Sequence, residues 1–338
     1  MLQNSGRISP LNWQLLIDEA LRRRKAEKIT QREHSALAAV SVPTMAAFEQ
    51  GDKTLSLAKA FDILRVVGLI EEVKADDAQD EFAKKSFTRW QQLCSQLPNN
   101  SPYLFPHGGY QFDYYLEGGL KTIDLESFKK VLELANKPAY TGHPPFLVSN
   151  RHPTKFTPHE IEGEFECWLK PDEEYPFLPG DYWRASPTGH MFLIQGYEED
   201  GAETFPAGSV FDSFLPIWRM GEILLHAERL ASLLQKNLNS PITVHFRAIY
   251  SGLSGRVVRS WSNPLNSIYF EAGAGAAKSN EAVLEAVMPA RNIPARLADY
   301  IYPLVSSLYE RFGITELSQD FVKKELERLL SRRNENPL

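Results

Sequence analysis

Two helix starts stand eleven residues apart near the beginning of this 338-residue chain. At the first, Thr30 can cap a helix while Glu33, three residues on, reaches back to complete a capping box. At the second, Ser41 can cap, and Pro43 falls in the first turn, where its missing N–H would have had no partner. Gly51 then supplies a stop. The spacing leaves room for a helix of about two turns, a turn of about three residues, and a second short helix. This is a helix-turn-helix arrangement, with a second helix short enough to lie in a major groove.

From Trp13 to Ile70 apolar residues recur at helical spacing in short blocks: Leu16, Ile17, Ala20, Leu21; Leu37, Val40; Met45, Phe48; Leu57, Phe61, Leu64. Four or five helices are predicted. Acidic residues from Glu71 to Glu81 read as a solvated connector or helix surface, and a first boundary falls near residue 75. Beyond it Pro, Gly and aromatics become dense and period-2 runs appear. Ile161, Phe165, Cys167 and Leu169 alternate with Glu160, Glu162, Glu164 and Glu166, and Ile242 to Tyr250 alternate with Thr243, His245 and Arg247. Both read as half-buried strands. The glutamates read as one solvated strand face. Phe214 to Leu238 reads as a long helix. After the small-residue link Glu271–Lys278, Val283 to Arg311 and Leu317 to Arg333 read as helical, with prolines 289, 294 and 303 breaking the first. The expected fold is multidomain: an all-α helix-turn-helix head (1–75), a mixed α/β body for regulation or oligomerisation (76–275), and a helical C-terminal segment (276–338). The stripe Phe321, Val322, Leu326, Leu329, Leu330 has surplus apolar area to pack on its own domain or a second subunit.

Composition excludes disorder and coiled coil: 43% hydrophobic and 24% charged residues are ordinary globular values. No apolar run approaches the roughly 20 residues that cross a bilayer, and no signal-peptide order is read at the N-terminus. With only Cys94 and Cys167, widely spaced, a cytoplasmic location without membrane contact is expected. The net charge of −6 is uneven. Residues 1–70 carry ten Lys/Arg against seven Asp/Glu, a net of +3, leaving −9 for the rest. A mildly basic head on an acidic body suits phosphate contact by the head alone.

The stretch Thr30-Gln31, Val40-Ser41, Thr44-Met45 and Phe48-Glu49-Gln50-Gly51, followed by Leu57, Phe61 and Leu64, resembles the Cro/repressor-type (XRE) helix-turn-helix family over about 55 residues. Two positions depart from the family pattern: Ala39 stands where a turn glycine is usual, and His34 where a core leucine is common. The resemblance implies that Arg24 pairs with Glu49 as a structural ion pair. It also implies phosphate contacts from Gln31, Arg32, Gln50 and Lys53, and places Val42, Pro43, Thr44, Ala46 and Ala47 toward base edges. That face is chemically unusual. Readout of guanine or adenine normally uses Arg, Asn or Gln, and here only Thr44 is polar, leaving thymine methyl contact and shape.

The body carries no recognised catalytic motif: no Gly-x-Ser-x-Gly elbow, no Walker A loop and no His-Glu-x-x-His. Histidines 107, 143, 152, 159 and 190 read as scattered rather than as metal ligands, so no catalytic residue, metal or cofactor is assigned. Gly252 to Arg256 reads as a hairpin turn rather than an anion nest. Residues of about 178–258, with Asp181-Tyr182-Trp183-Arg184 and Phe192 to Tyr197, resemble a module that follows Schlafen-type AlbA putative DNA-binding domains. Aromatic residues there read as core or as a pocket lining. The expected function is a sequence-specific, dimeric transcription regulator of double-stranded DNA with a C-terminal domain that senses a small-molecule or protein effector or oligomerises. The alternatives are an antitoxin-like interaction scaffold and an enzyme with an appended helix-turn-helix.

Overall fold

The structure, a computed structural model, describes residues 12–38, 40–52, 54–69, 75–99, 101–136, 140, 144–146, 157–169, 180–202, 204–237, 239–262 and 275–332. The chain divides into two compact units, Met1–Lys74 and Ala75–Leu338.

The described residues of the first unit form four helices: α1 (Trp13–Ala26), α2 (Gln31–Leu37), α3 (Val42–Glu49) and α4 (Leu57–Val66). Their starts are set locally. The Asn12 side chain accepts from the N–H groups of Gln14 and Leu15. Thr30 Oγ1 accepts from Glu33 N at 3.2 Å while Glu33 Oε2 accepts from Thr30 N at 2.8 Å. Ser41 Oγ accepts from Thr44 N at 3.2 Å. Gly51, at φ +79°, ends α3 in the left-handed region. Ile17, Ala20, Met45, Phe48, Ile63 and Leu64 form the core, with Trp13 edge-on to Phe48. His34 is buried with them and its Nε2 lies 2.9 Å from the Ile63 carbonyl. An imidazole thus fills an apolar position by donating one proton to α4. Ala39 lies outside the described residues.

The second unit is an antiparallel seven-stranded sheet in the order β2-β3-β4-β5-β1-β7-β9. Its strands are β1 (Gly109–Gly118), β2 (His159–Ile161), β3 (Glu164–Trp168), β4 (Tyr182–Ala185), β5 (His190–Gly196), β7 (Ile242–Ser251) and β9 (Glu281–Pro289). One face carries α6 (Leu125–Ala135), α7 (Leu215–Leu234), α8 (Ile293–Glu310) and α9 (Gln319–Ser331); α5 (Ala75–Cys94) packs on the other. A parallel pair, β6 (Val210–Asp212) with β8 (Val257–Arg259), forms a second small sheet. The sheet's inward residues, among them Phe112, Tyr114, Trp183, Leu193, Val244 and Phe246, join the helices in one core. Helix α7 is buried at every residue from Pro216 to Ala227, so its polar groups need internal partners. Arg219 meets Glu222 at 2.9 Å and also Glu198, and His226 Nδ1 lies 2.8 Å from Tyr114 Oη. Burial holds that imidazole neutral, well below its usual range.

The ends of β1 and β7 meet where only glycine fits. A Cβ on Gly108 would lie 2.2 Å from the Ser251 carbonyl oxygen, and one on Gly252 would lie 2.2 Å from that of His107.

Three sequence expectations are corrected. Residues from Val283 to Pro289 form strand β9, not helix, so the segment 276–338 opens with a strand of the main sheet. Ala282, Leu284 and Met288 face the core while Val283, Glu285 and Val287 face out, and pairing with β7 overrides the helix-forming composition. The run 160–169 is not one strand but a hairpin, turned at Glu162-Gly163. Its glutamates are a solvated face only in part: Glu160 and Glu162 are exposed, but Glu166 is buried and takes Arg89 at 2.8 Å, and Glu164 takes Arg184 at 2.5 Å, which ties α5 and β4 to β3. Residues 252–256 do not close a hairpin, because β8 leaves β7 to pair with β6. Arg256 there is fully buried, bonded to Asp200 and to the carbonyls of Gly252, Val210 and His107. Of the two packings open to the α9 stripe, the structure shows the one inside its own unit, with Val322, Leu326 and Leu329 buried and Leu330 exposed.

Candidate nucleic-acid interface

Helix α3 is held by its last residue. Glu49 Oε1 lies 2.9 Å from Arg24 Nη2 of α1, and Glu49 Oε2 accepts from Gln31 Nε2 of α2 at 2.8 Å. The pair is largely shielded, the side chains being 12% and 17% exposed. Arg24 also donates to the Ile29 carbonyl at 3.1 Å, which fixes it to the turn before α2. One carboxylate therefore locks three helices in place, and the N-terminal turn of α2 lies beside the C-terminal end of α3. Partial burial strengthens such a pair beyond the worth of an exposed one.

Met45 and Phe48 point into the core, which fixes the opposite face of α3 outward. Val42 is 44% exposed and Pro43 is exposed; Thr44, Ala46 and Ala47 are half-buried; Gln50 is exposed at the C-cap. Leu37, at the end of α2, is also exposed. The Thr44 hydroxyl lies 2.8 Å from Ser41 Oγ, so it is engaged within the helix cap. Sequence reasoning missed this pairing, although Ser and Thr at a cap and its third helical position are a signal for it. Gln31 was read as a phosphate ligand, yet one of its amide N–H groups is committed to Glu49. Arg32, next to it, is exposed, and among the described residues neither Arg32 nor Lys25 nor Lys28 has an acidic partner. Arg22 and Arg23, by contrast, converge on Glu19. Lys53 lies outside the described residues. The arrangement presents a rigid, short, apolar helix face with uncompensated cations near the start of α2.

Among the described residues of the body lies a small cavity, walled largely by apolar atoms with a few polar groups at its edge. Tyr110, Glu199, Arg219 and Tyr250 line it together with Tyr197, Phe211, Leu215 and Pro216, around a space of about 10 Å³, the room of a single water. Tyr250 Oη has no hydrogen-bond partner among the described residues. Burial, with the Asp212 carboxylate nearby, pushes the Glu199 carboxyl up to about 8, although its Oε1 accepts from Asp212 N at 2.9 Å. The other aromatics read as candidate pocket residues, Tyr182, Trp183, Phe192 and Trp218, are core. No three His, Cys, Asp or Glu converge as a metal site among the described residues; His143 and His152 lie outside them. Cys94 and Cys167 are buried and unbridged, and no described helix is long and apolar enough to cross a membrane.

No family model, no curated protein and no solved structure matches this chain.

Proposed function

We propose that the chain is a sequence-specific, dimeric DNA-binding transcription regulator of the cytoplasm, with a helix-turn-helix head of the Cro/repressor type on a mixed α/β body that oligomerises or senses an effector. The observation that carries this reading is the locked α3, whose outward face lies opposite its core residues, beside cations without a carboxylate partner among the described residues. A helix of this length fits a major groove, and Lys25, Lys28 and Arg32 suit flanking phosphates.

Exposed Leu37 and Val42 favour a second reading, an interaction scaffold that docks an apolar protein surface on the same face. Titration of duplex DNA at two salt concentrations separates the two. DNA binding through phosphates should weaken with a log–log slope of about −0.9 per neutralised phosphate. A flat response, or no retention on DNA at low salt, leaves the scaffold.

A further inference from the structure

The outward face of α3 has one chemical property that narrows what it can read. Over its first two turns it offers Val42, Pro43, Ala46 and Ala47, and the single hydroxyl among them, on Thr44, is engaged by Ser41. Apart from that hydroxyl pair at its start, the polar reach of the helix lies with Gln50 at its far end. Such a face meets the methyl groups of the major groove and is indifferent to the donors and acceptors beside them. Thymine presents a methyl at C5, next to an acceptor oxygen. Cytosine methylated at C5 presents the same methyl, next to a donor amine. The apolar side chains of this face, Val42, Pro43, Ala46 and Ala47, meet the methyl alike whichever neighbour stands beside it.

We infer that this chain recognises pyrimidine 5-methyl groups in the major groove, on thymine and on 5-methylcytosine alike, and so responds to cytosine methylation. The inference rests on the DNA-binding reading of the head. Its occupant is fixed by charge as well as by apolarity: Arg32, Lys28 and Lys25, which have no acidic partner among the described residues, stand near the turn of α2 that Gln31 joins to Glu49, at the other end of α3. An apolar helix next to uncompensated cations matches a groove floor of methyls walled by phosphates. It matches an apolar protein surface less well, since that would leave the cations facing no anion.

The test uses the full chain and four synthetic duplexes of equal length, followed by fluorescence anisotropy at low salt. They are alternating A·T, the same with uracil for thymine, alternating G·C, and the same with 5-methylcytosine. Removing a methyl in the first pair should cost about fourfold in affinity for each methyl contacted, and adding one in the second pair should gain a similar factor. Val42→Ser, at a position 44% exposed, should keep the fold and the salt slope and lose most of both effects. Binding that is equal within each pair overturns the inference and leaves the DNA-binding reading standing. A methyl preference that survives Val42→Ser overturns the assignment to this face, since DNA shape would then be its source. Failure to bind any of the four overturns both.

Discussion

Replacing Glu199 by glutamine should change how the stability of the second unit depends on pH. In the unfolded chain this carboxyl loses its proton near 4.5; in the fold, burial moves that loss to about 8. Between these values the folded form holds a proton that the unfolded chain has released, so stability falls as pH rises. The slope is about 1.4 kcal/mol per pH unit from this group alone, and the accumulated cost by pH 8 is about 3–5 kcal/mol. Below the unfolded value and above the folded one the contribution is flat. Glutamine has no charge to bury and keeps an oxygen to accept from Asp212 N, the contact Glu199 makes at 2.9 Å. Guanidinium unfolding followed by tryptophan fluorescence at pH 5, 6, 7, 8 and 9 would measure it. Wild type and Glu199→Gln should nearly coincide at pH 5 and diverge steadily, the variant being the more stable, up to about pH 8. Asp113, also raised by burial, tilts both curves equally and cancels in the difference. Parallel curves over the whole range would refute the reasoning, because they would mean that Glu199 is already solvated or paired as an anion.

Three further outcomes are expected. Tyr250→Phe removes a buried hydroxyl without a partner among the described residues. It should hold stability or raise it by up to about 1 kcal/mol, whereas a loss larger than that would show a water bonded in the cavity. Glu49→Ala strands Arg24 in a site where it is 12% exposed, and should cost about 1–3 kcal/mol, seen as faster hydrogen exchange at the α3 amides; unchanged exchange would mean that α3 is held by its core contacts alone. Leu329→Ala empties a fully buried position beside Gly221 of α7, and should cost about 2–5 kcal/mol without altering the sedimentation coefficient of the native protein. A change of oligomeric state at undiminished stability would return the α9 stripe to a subunit interface.

What the sequence showed most clearly is what local chemistry decides. Thr30, Glu33, Ser41 and Gly51 punctuate the head through contacts within a few residues, and the alternation in β7 follows from burial of one face along ten residues. The ambiguous stretches are those settled from far away. Ala282 to Met288 has the composition of a helix and becomes a strand because β7 is there to pair with it. Glu164 and Glu166 look solvated until α5 and β4 bring Lys85, Arg89 and Arg184 to them. The same limit applies at the candidate site. Spacing exposes the face of α3, but only the fold shows that Ser41 takes the Thr44 hydroxyl and that Glu49 takes Gln31.

The place of β1 in the sheet bears on the order in which the chain is made. Its neighbours are β5, which begins at His190, and β7, which begins at Ile242, 124 residues after β1 ends at Gly118. At about 5–20 residues per second, a ribosome needs roughly 6–25 s to supply that second neighbour. For that interval the central strand has an open edge, and Tyr110, Phe112 and Tyr114 have no helix α7 to cover them. The four helices of the head wait for nothing beyond their own residues, and local contacts close fast. Synthesis thus delivers a finished head many seconds before a finished sheet, and a chain stalled in between carries its α3 face already assembled on a body that is not.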